Sequence, residues 1–422
     1  MRSNNVWLPT VGAAVSLILA AVFLSPKLPV PVIQASFAWV VDPWKGPRIP
    51  LAIGLAAYLG FSFRRANQPS QRMLLAAFFP FACLVVLASL GLFGELGTVS
   101  GSQKLVPLVF GLVTAVVAGK PIRLVSALGL VITAIVSYGL VRMRTLHDVT
   151  WMDQLARAHA GYGEPRVFGL VAGLGLVCAF TTILNSGTTK AVSLWSFATV
   201  ICVAGLMASF SRGDVLSAAV IIIMIVACRG PLVRGQWIGV YLSAIGAFSG
   251  LVLFRAVRSG EPLMRDTDAV RRFADFGRAG RLVIHHPFSG LGPGGLLHRH
   301  SNVVNRVPTF NYTDAAAVGS SAMVMVVELG IAVLILWVLF GLGVSSRLKA
   351  DTDPWMKAVG TALAFWGATF LFNTATSSRP GWFAFGCLVG ALLLPVESKI
   401  PVPTESQHQP HQAEESVRIT SA

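Results

Sequence analysis

The stretch from Arg255 to Val318 carries nine arginines, at 255, 258, 265, 271, 272, 278, 281, 299 and 306, and no lysine. Guanidinium binds phosphate or carboxylate through two parallel N–H donors, which the compact ammonium of lysine does not do, so this usage points to an anionic ligand. Arg272, Arg278 and Arg281 are the candidates within it, joined by Arg212 at a Ser-Arg-Gly turn upstream. The run RLVIHHPFSGLGPGG, residues 281–295, places Gly290, Gly292, Gly294 and Gly295 close together. Such glycines permit a tight turn or a nest of backbone N–H groups around an anion, with Gly292 and Gly294 the candidates for the nest. Proton transfer calls for imidazole or carboxylate within hydrogen-bond reach; His298, His300, Asp214 and Glu328 qualify by type. A solvated basic loop accounts for the arginines equally well.

The spacing excludes several other chemistries. No Gly-Lys-Ser/Thr follows the glycines, as a P-loop would require, and no strand pattern precedes them, as a dinucleotide fingerprint would. His285 and His286 are adjacent and lack the i, i+4 spacing of a helical zinc site, so no metal and no cofactor is expected.

These residues must be held by a membrane scaffold. Of 422 residues 54% are hydrophobic and only 12% charged, and the mean hydropathy is +0.70. That composition lies outside the range of soluble globular domains and fits an all-α, polytopic inner-membrane protein. The formal charge of +15 falls mostly in short loops and in the 255–318 stretch, so topology and an anionic ligand explain it better than nucleic acid does. Cys83, Cys178, Cys202, Cys228 and Cys387 all sit in apolar segments with no close pair, which makes them packing residues.

Apolar runs of membrane length predict about twelve transmembrane helices, near 7–25, 49–63, 73–94, 105–119, 123–141, 167–185, 192–210, 214–228, 237–254, 319–343, 355–373 and 380–394. The second, fourth, eighth and twelfth are the shortest. The first reads as a retained anchor, because Pro26-Lys27 follows it where a signal peptide would carry a small-residue cleavage site. Leu28 to Val41 is apolar but holds Pro29 and Pro31, which suits an interfacial or re-entrant piece. Gly169 with Gly173 and Gly386 with Gly390 are small-xxx-small pairs that let helices approach closely.

Orientation follows from the basic short loops. With the N-terminus inside, Arg64, Arg65, Arg72, Lys120, Arg123, Lys190, Arg229, Arg234, Arg347, Lys349 and Lys357 all fall on the cytoplasmic side. The expected organisation is a transmembrane domain over 1–394, with the large periplasmic loop 255–318 between spans nine and ten. A disordered cytoplasmic tail over 395–422, rich in Pro, Gln, Glu and Ser, completes it. Both termini are then cytoplasmic. Residues 142–166, the Ser211-Arg212-Gly213 turn and the large loop share the outer side, where they can converge on one site.

In that order and on that side, several motifs resemble the family of bacterial O-antigen ligases and Wzy-type polysaccharide polymerases. SFSRGDVLSAAV at 209–220 resembles its Ser-Arg-Gly turn, and HHPFSGLGPGG at 285–295 its Pro-x-x-Gly-x-Gly stretch after an arginine-bearing loop. VVELGIAVLIL at 326–336 resembles its Glu-Gly opening of the next span; GYGEPRVFGLVAGL at 161–174 is a weaker match. The resemblance covers roughly residues 140–390. One departure stands out: many members carry a His-Asn pair about nine residues before the glutamate, and here those positions are Gly319 and Ser320.

The resemblance implies a metal-independent glycosyltransferase of the cell envelope, serving O-antigen or exopolysaccharide biosynthesis. It would move a glycan from undecaprenyl diphosphate to an acceptor hydroxyl on a glycan or lipid at the periplasmic face of the cytoplasmic membrane. Arg212, Arg272, Arg278 and Arg281 would then stabilise the charge that develops on the departing diphosphate, and His298, His300, Asp214 or Glu328 would accept the hydroxyl proton. The competing expectation is a transporter or exporter of an anionic or lipid-linked substrate. Such a protein would show related halves and polar or broken helices near the midplane, yet no clear internal repeat is evident and the ionisable residues cluster at the outer side.

Overall fold

The structure is a computed structural model. It describes residues 11–25, 48–66, 68–90, 92, 94–145, 149–152, 155–158, 160, 162, 164–227, 277, 279–292, 320–373 and 378–394. In chain order the helices are α1 (Val11–Leu24), α2 (Arg48–Arg65), α3 (Pro69–Ser89), α4 (Gly94–Ala118), α5 (Pro121–Thr145), α6 (Pro165–Asn185), α7 (Thr189–Ser209) and α8 (Arg212–Ala227). They continue with α9 (Ser321–Leu329), α10 (Ala332–Ala350), α11 (Pro354–Phe372) and α12 (Arg379–Leu393). Five of them, α3, α5, α6, α7 and α10, are long and apolar enough to cross a membrane.

Local sequence explains where the helices begin. Proline stands at the start of α3, α6, α11 and α12, where a missing N–H costs nothing and the fixed φ suits the first turn. Side chains of Thr188, Ser320, Asp353 and Ser378 accept hydrogen bonds from the first free N–H groups of α7, α9, α11 and α12.

Small residues decide which helices lie at the centre. Every residue of α12 from Pro380 to Leu393 is buried, and α6 is buried along most of its length. Gly386 and Gly390 lie against the backbone and Ala115 of α4, and Gly173 against the Phe365 ring of α11, each too close for an added Cβ. That is the close approach expected of the two small-xxx-small pairs. By contrast α7 and α10 present Phe197, Val200, Ile335 and Val338 outward, as helices facing lipid would.

The bundle has two distinct ends, joined by α12. At one, Arg347 of α10, fully buried, donates to the carbonyls of Leu392 and Leu394 at 3.1 and 3.2 Å, and Gln71 of α3 donates to Leu394 as well. At the other, Arg379 opens α12 and donates to the Ser25 carbonyl after α1.

The all-α reading holds for the bundle, and two other sequence expectations need correction. The 142–166 stretch adds one small hairpin to it, in which β1 (Val149–Met152) pairs antiparallel with β2 (Leu155–Ala158) through Met152 opposite Leu155. Its β2 strand packs on α5, α6 and α7. The fourth helix starts well before its apolar run, at Gly94, because a helix needs no continuous hydropathy where backbone hydrogen bonds extend it. The span expected at 319–343 is two helices, broken at Gly330-Ile331. Gly330 has φ +77°, a conformation that excludes continuation of the helix and favours glycine. The expected span 237–254, the interfacial piece 28–41, Cys228 and the tail 395–422 lie outside the described residues.

Candidate functional site

The Ser-Arg-Gly turn is built by a left-handed residue. Phe210 follows α7 with φ +47°, and the chain reverses into α8 within the single residue Ser211. Ser209 Oγ accepts from Ser211 N–H at 3.2 Å, which fixes the turn. Asp214, in the first turn of α8, is fully buried, and the Ser211 hydroxyl donates to its Oδ2. A carboxylate at a helix N-terminus also meets the favourable end of the helix dipole.

Asn373 completes this group from the end of α11. Its Nδ2 lies 3.0 Å from Asp214 Oδ2, 3.2 Å from Oδ1 and 3.4 Å from Ser211 Oγ. Its carbonyl accepts from both N and Oγ of Ser321, at 3.1 and 2.9 Å, and its own N–H donates to Thr369 O at 2.8 Å. One residue therefore binds α8, α9 and α11 together. Gly169 of α6 closes the fourth side: a Cβ there would collide with Asp214 Oδ2, Ser211 Cβ and Ser209 Oγ. Arg166 stands one turn earlier on the same face of α6, near enough for its charge to act on Asp214. One turn deeper, Ser217 and Thr369 are fully buried, and their hydroxyls have no hydrogen-bond partner among the described residues.

The second half of the site is a docked loop. Residues 279–285 form a short helical segment whose Ala279, Leu282 and Val283 pack on Met323, Val324 and Val327 of α9. Pro287 to Gly292 then folds over the break after α9. Leu291 N–H donates to Val327 O at 2.9 Å, Gly292 N–H to Glu328 O at 2.8 Å, and Ile331 N–H to Pro287 O at 2.8 Å. The last carbonyls of a helix have no partner within it, and here the loop supplies two of the donors. Gly290, at φ +60°, and Gly330 make this possible, since a Cβ on either would strike the other strand's backbone.

Glu328 lies in the last turn of α9, nearly buried, with Oε2 3.9 Å from Nζ of Lys104 on α4. The α9 helix thus spans the whole site, with the Asn373 carbonyl at its start and the Glu328–Lys104 pair and docked loop at its end. Tyr162, before α6, donates its hydroxyl to Leu24 O at the end of α1. Burial pushes that phenol well above its ordinary pKa, with the Arg379 charge pulling it partly back, so it stays a neutral donor.

The expected site residues divide accordingly. Asp214, Glu328, Arg281 and Gly292 are brought to one assembly through α9. Gly292 acts there as a helix-capping donor, and Arg281 is exposed on the docked segment. Arg212 is the first residue of α8, at the turn. His298, His300, Arg272, Arg278 and Gly294 lie outside the described residues. Asn373, Ser321, Lys104 and Arg166 were not singled out from sequence. The signal for Asn373 was present: an amide closing an otherwise apolar run.

His285 is exposed and His286 half-buried, and among the described residues no group of three or more His, Cys, Asp or Glu is placed to hold a metal. Cys178, Cys202 and Cys387 are buried thiols, with Cys83 half-buried, as expected of packing residues. Scanned against protein-family models and compared with curated proteins, the chain matches no family model and no curated protein.

Proposed function

We propose that this protein is a membrane-embedded glycosyltransferase that moves a glycan from an undecaprenyl-diphosphate carrier to an acceptor hydroxyl, in the manner of O-antigen ligases and Wzy-type polymerases. The observation that supports this reading is the role of α9. Three stretches that carry the resemblance, 209–220, 285–295 and 326–336, are far apart in sequence, and 209–220, 285–292 and 326–336 meet through Asn373, Ser321 and the docked loop.

Cleavage of the anomeric C–O bond leaves a diphosphate whose growing charge needs fixed cations nearby. Arg281 on the docked segment and Arg166 beside the Ser-Arg-Gly turn are suited to that task, with Arg212, Arg272 and Arg278 in the same stretches of chain. The acceptor hydroxyl attacks the anomeric carbon and yields its proton to a base. Asp214 is fully buried and already engaged by Ser211 and Asn373, which suits it to positioning the turn. His298 or His300 is then the preferred base, taking the place of the histidine that Gly319-Ser320 lacks.

The broken helix α9–α10 also favours a second reading, since transporters place interrupted helices at their substrate sites. Surface glycan from a deletion strain separates the two. Single repeat units on a lipid acceptor indicate a polymerase, and undecaprenyl-linked chains beside a bare acceptor indicate a ligase. Unchanged surface glycan and unchanged carrier-linked pools would reject the transferase. The threading is tested in parallel: a reporter active only in the periplasm should work when fused after Ser259 and fail after Lys349.

A further inference from the structure

We propose that the docked segment around Ile284 and Phe288 is an interfacial wedge, seated in the bilayer boundary at the end of the bundle that carries Asp214. The partner is the lipid surface itself. This inference does not depend on the transferase reading.

The inner face of the segment is accounted for, because Ala279, Leu282 and Val283 pack on α9. Its outer face is not. Ile284 is 76% exposed and Phe288 83%, more than any other large hydrophobic residue described. Arg281 and His285 are exposed beside them. Arg281 and Ile284 lie three residues apart on the helical segment, and Phe288 follows in the turn directly after it, so an arginine and two exposed apolar groups lie close together along this segment. Apolar groups flanked by a guanidinium are the composition of a segment lying at a membrane surface.

The position of this face agrees with that occupant. Ile331 N–H donates to the Pro287 carbonyl, which joins the segment directly to the start of α10. From there Ile331, Leu334, Ile335, Val338 and Leu342 form an exposed apolar stripe down α10, one of the helices long and apolar enough to cross a membrane. Phe288 and Ile284 prolong that stripe past the helix end, to the level where headgroups replace acyl chains. The Arg281 guanidinium is then placed to meet lipid phosphate, its methylene stem lying along the apolar groups. Insertion would fix the height of the docked loop, and with it the Glu328 end of α9, relative to the bilayer.

Nitroxide labels test this. Ile284→Cys and Phe288→Cys are introduced singly in full-length protein with Cys83 and Cys228 replaced by alanine, the buried cysteines being inaccessible to reagent. The labelled protein is placed in vesicles of phosphatidylethanolamine and phosphatidylglycerol. Collision with oxygen relative to a water-soluble nickel chelate is compared with labels at Val338, on the α10 stripe, and at Gly187, on an exposed turn. The expected result is an oxygen-to-nickel ratio at 284 and 288 several-fold above that at 187 and approaching that at 338. Ratios equal to that at 187 would place the segment in water. Shielding from both collision partners would mean that protein covers it. Either outcome overturns the proposal.

Discussion

The Asn373 side-chain amide sits 3.0 Å from Asp214 Oδ2, while the Asn373 carbonyl takes two hydrogen bonds from Ser321. A residue at the end of α11 therefore holds a buried carboxylate of α8 and the start of α9 in one geometry. Deleting one partner of a buried hydrogen bond costs about 1–3 kcal/mol, because the other is left unsatisfied. Asn373→Leu should lower the melting temperature of the purified protein, and Asp214→Leu should do the same. The double variant should cost less than the sum, since the two share one interaction. Additive losses would show that the two side chains are not coupled.

Docking of the Pro287–Gly292 loop depends on Gly290. A left-handed conformation costs a residue with a Cβ about 1–2 kcal/mol, and that Cβ would also strike the Glu328 backbone. Gly290→Ala should release the loop, seen as faster hydrogen exchange at the Leu291 and Gly292 amides. Ser289→Ala, at an exposed neighbour, should leave their exchange unchanged. Equal protection in both variants would mean that the loop docks without the glycine.

The Lys104–Glu328 pair is poorly solvated, with side-chain exposures of 16% and 5%. Removing Lys104 takes a counter-charge from the nearly buried Glu328, while removing both charges leaves no such imbalance. Lys104→Met should therefore reduce thermal stability more than the Lys104→Met, Glu328→Gln double variant does. The reverse order would assign the glutamate a stabilising partner other than Lys104.

Arg347 reads in sequence as a cytoplasmic topology signal, and the structure gives it a packing role as well. Its guanidinium is completely buried, 2.8 Å from Asp351 and bonded to two carbonyls at the end of α12. Arg347→Met removes the counter-charge of Asp351 and the guanidinium donor to the Leu392 carbonyl, while Gln71 still donates to Leu394 and the Asp353 N–H to Asp351, for a loss of about 3–5 kcal/mol. Arg347→Lys keeps the charge but not the planar fork, so it should be intermediate. Detergent melting curves of the two variants check the order.

For the proposed transfer, the responsible histidine should matter far more to turnover than to binding. A positioned base contributes about 10²–10⁴-fold in rate, so His298→Ala or His300→Ala should lower transfer from a lipid-linked donor by that order while donor binding persists. Wild-type turnover in the single and double variants would exclude both imidazoles as the base.

Helix positions were legible because apolar runs of membrane length have few other outcomes. The expected spans 167–185, 192–210 and 355–373 match α6, α7 and α11 to within three residues. Polar breaks inside apolar sequence were harder to see. Val326 to Val333 reads as continuous hydropathy, yet the chain stops at Gly330, because three hydrogen bonds to the Pro287–Gly292 loop replace those of a continuing helix. No local pattern encodes a partner some forty residues away.

Composition and spacing by themselves determined that this chain builds an apolar helical scaffold, roughly where most of its helices lie, and which polar residues are unusual in it. They named Asp214, Glu328, Arg281 and Gly292 one at a time. Only the tertiary structure decided that Asn373 and α9 join these stretches, that Asp214 is sealed by Gly169, and that Glu328 faces Lys104. The physical reason is that hydropathy records how well a side chain tolerates an apolar environment, which lipid and protein supply alike. The choice between them, and the partner each polar group finds, arises from contacts between residues remote in sequence.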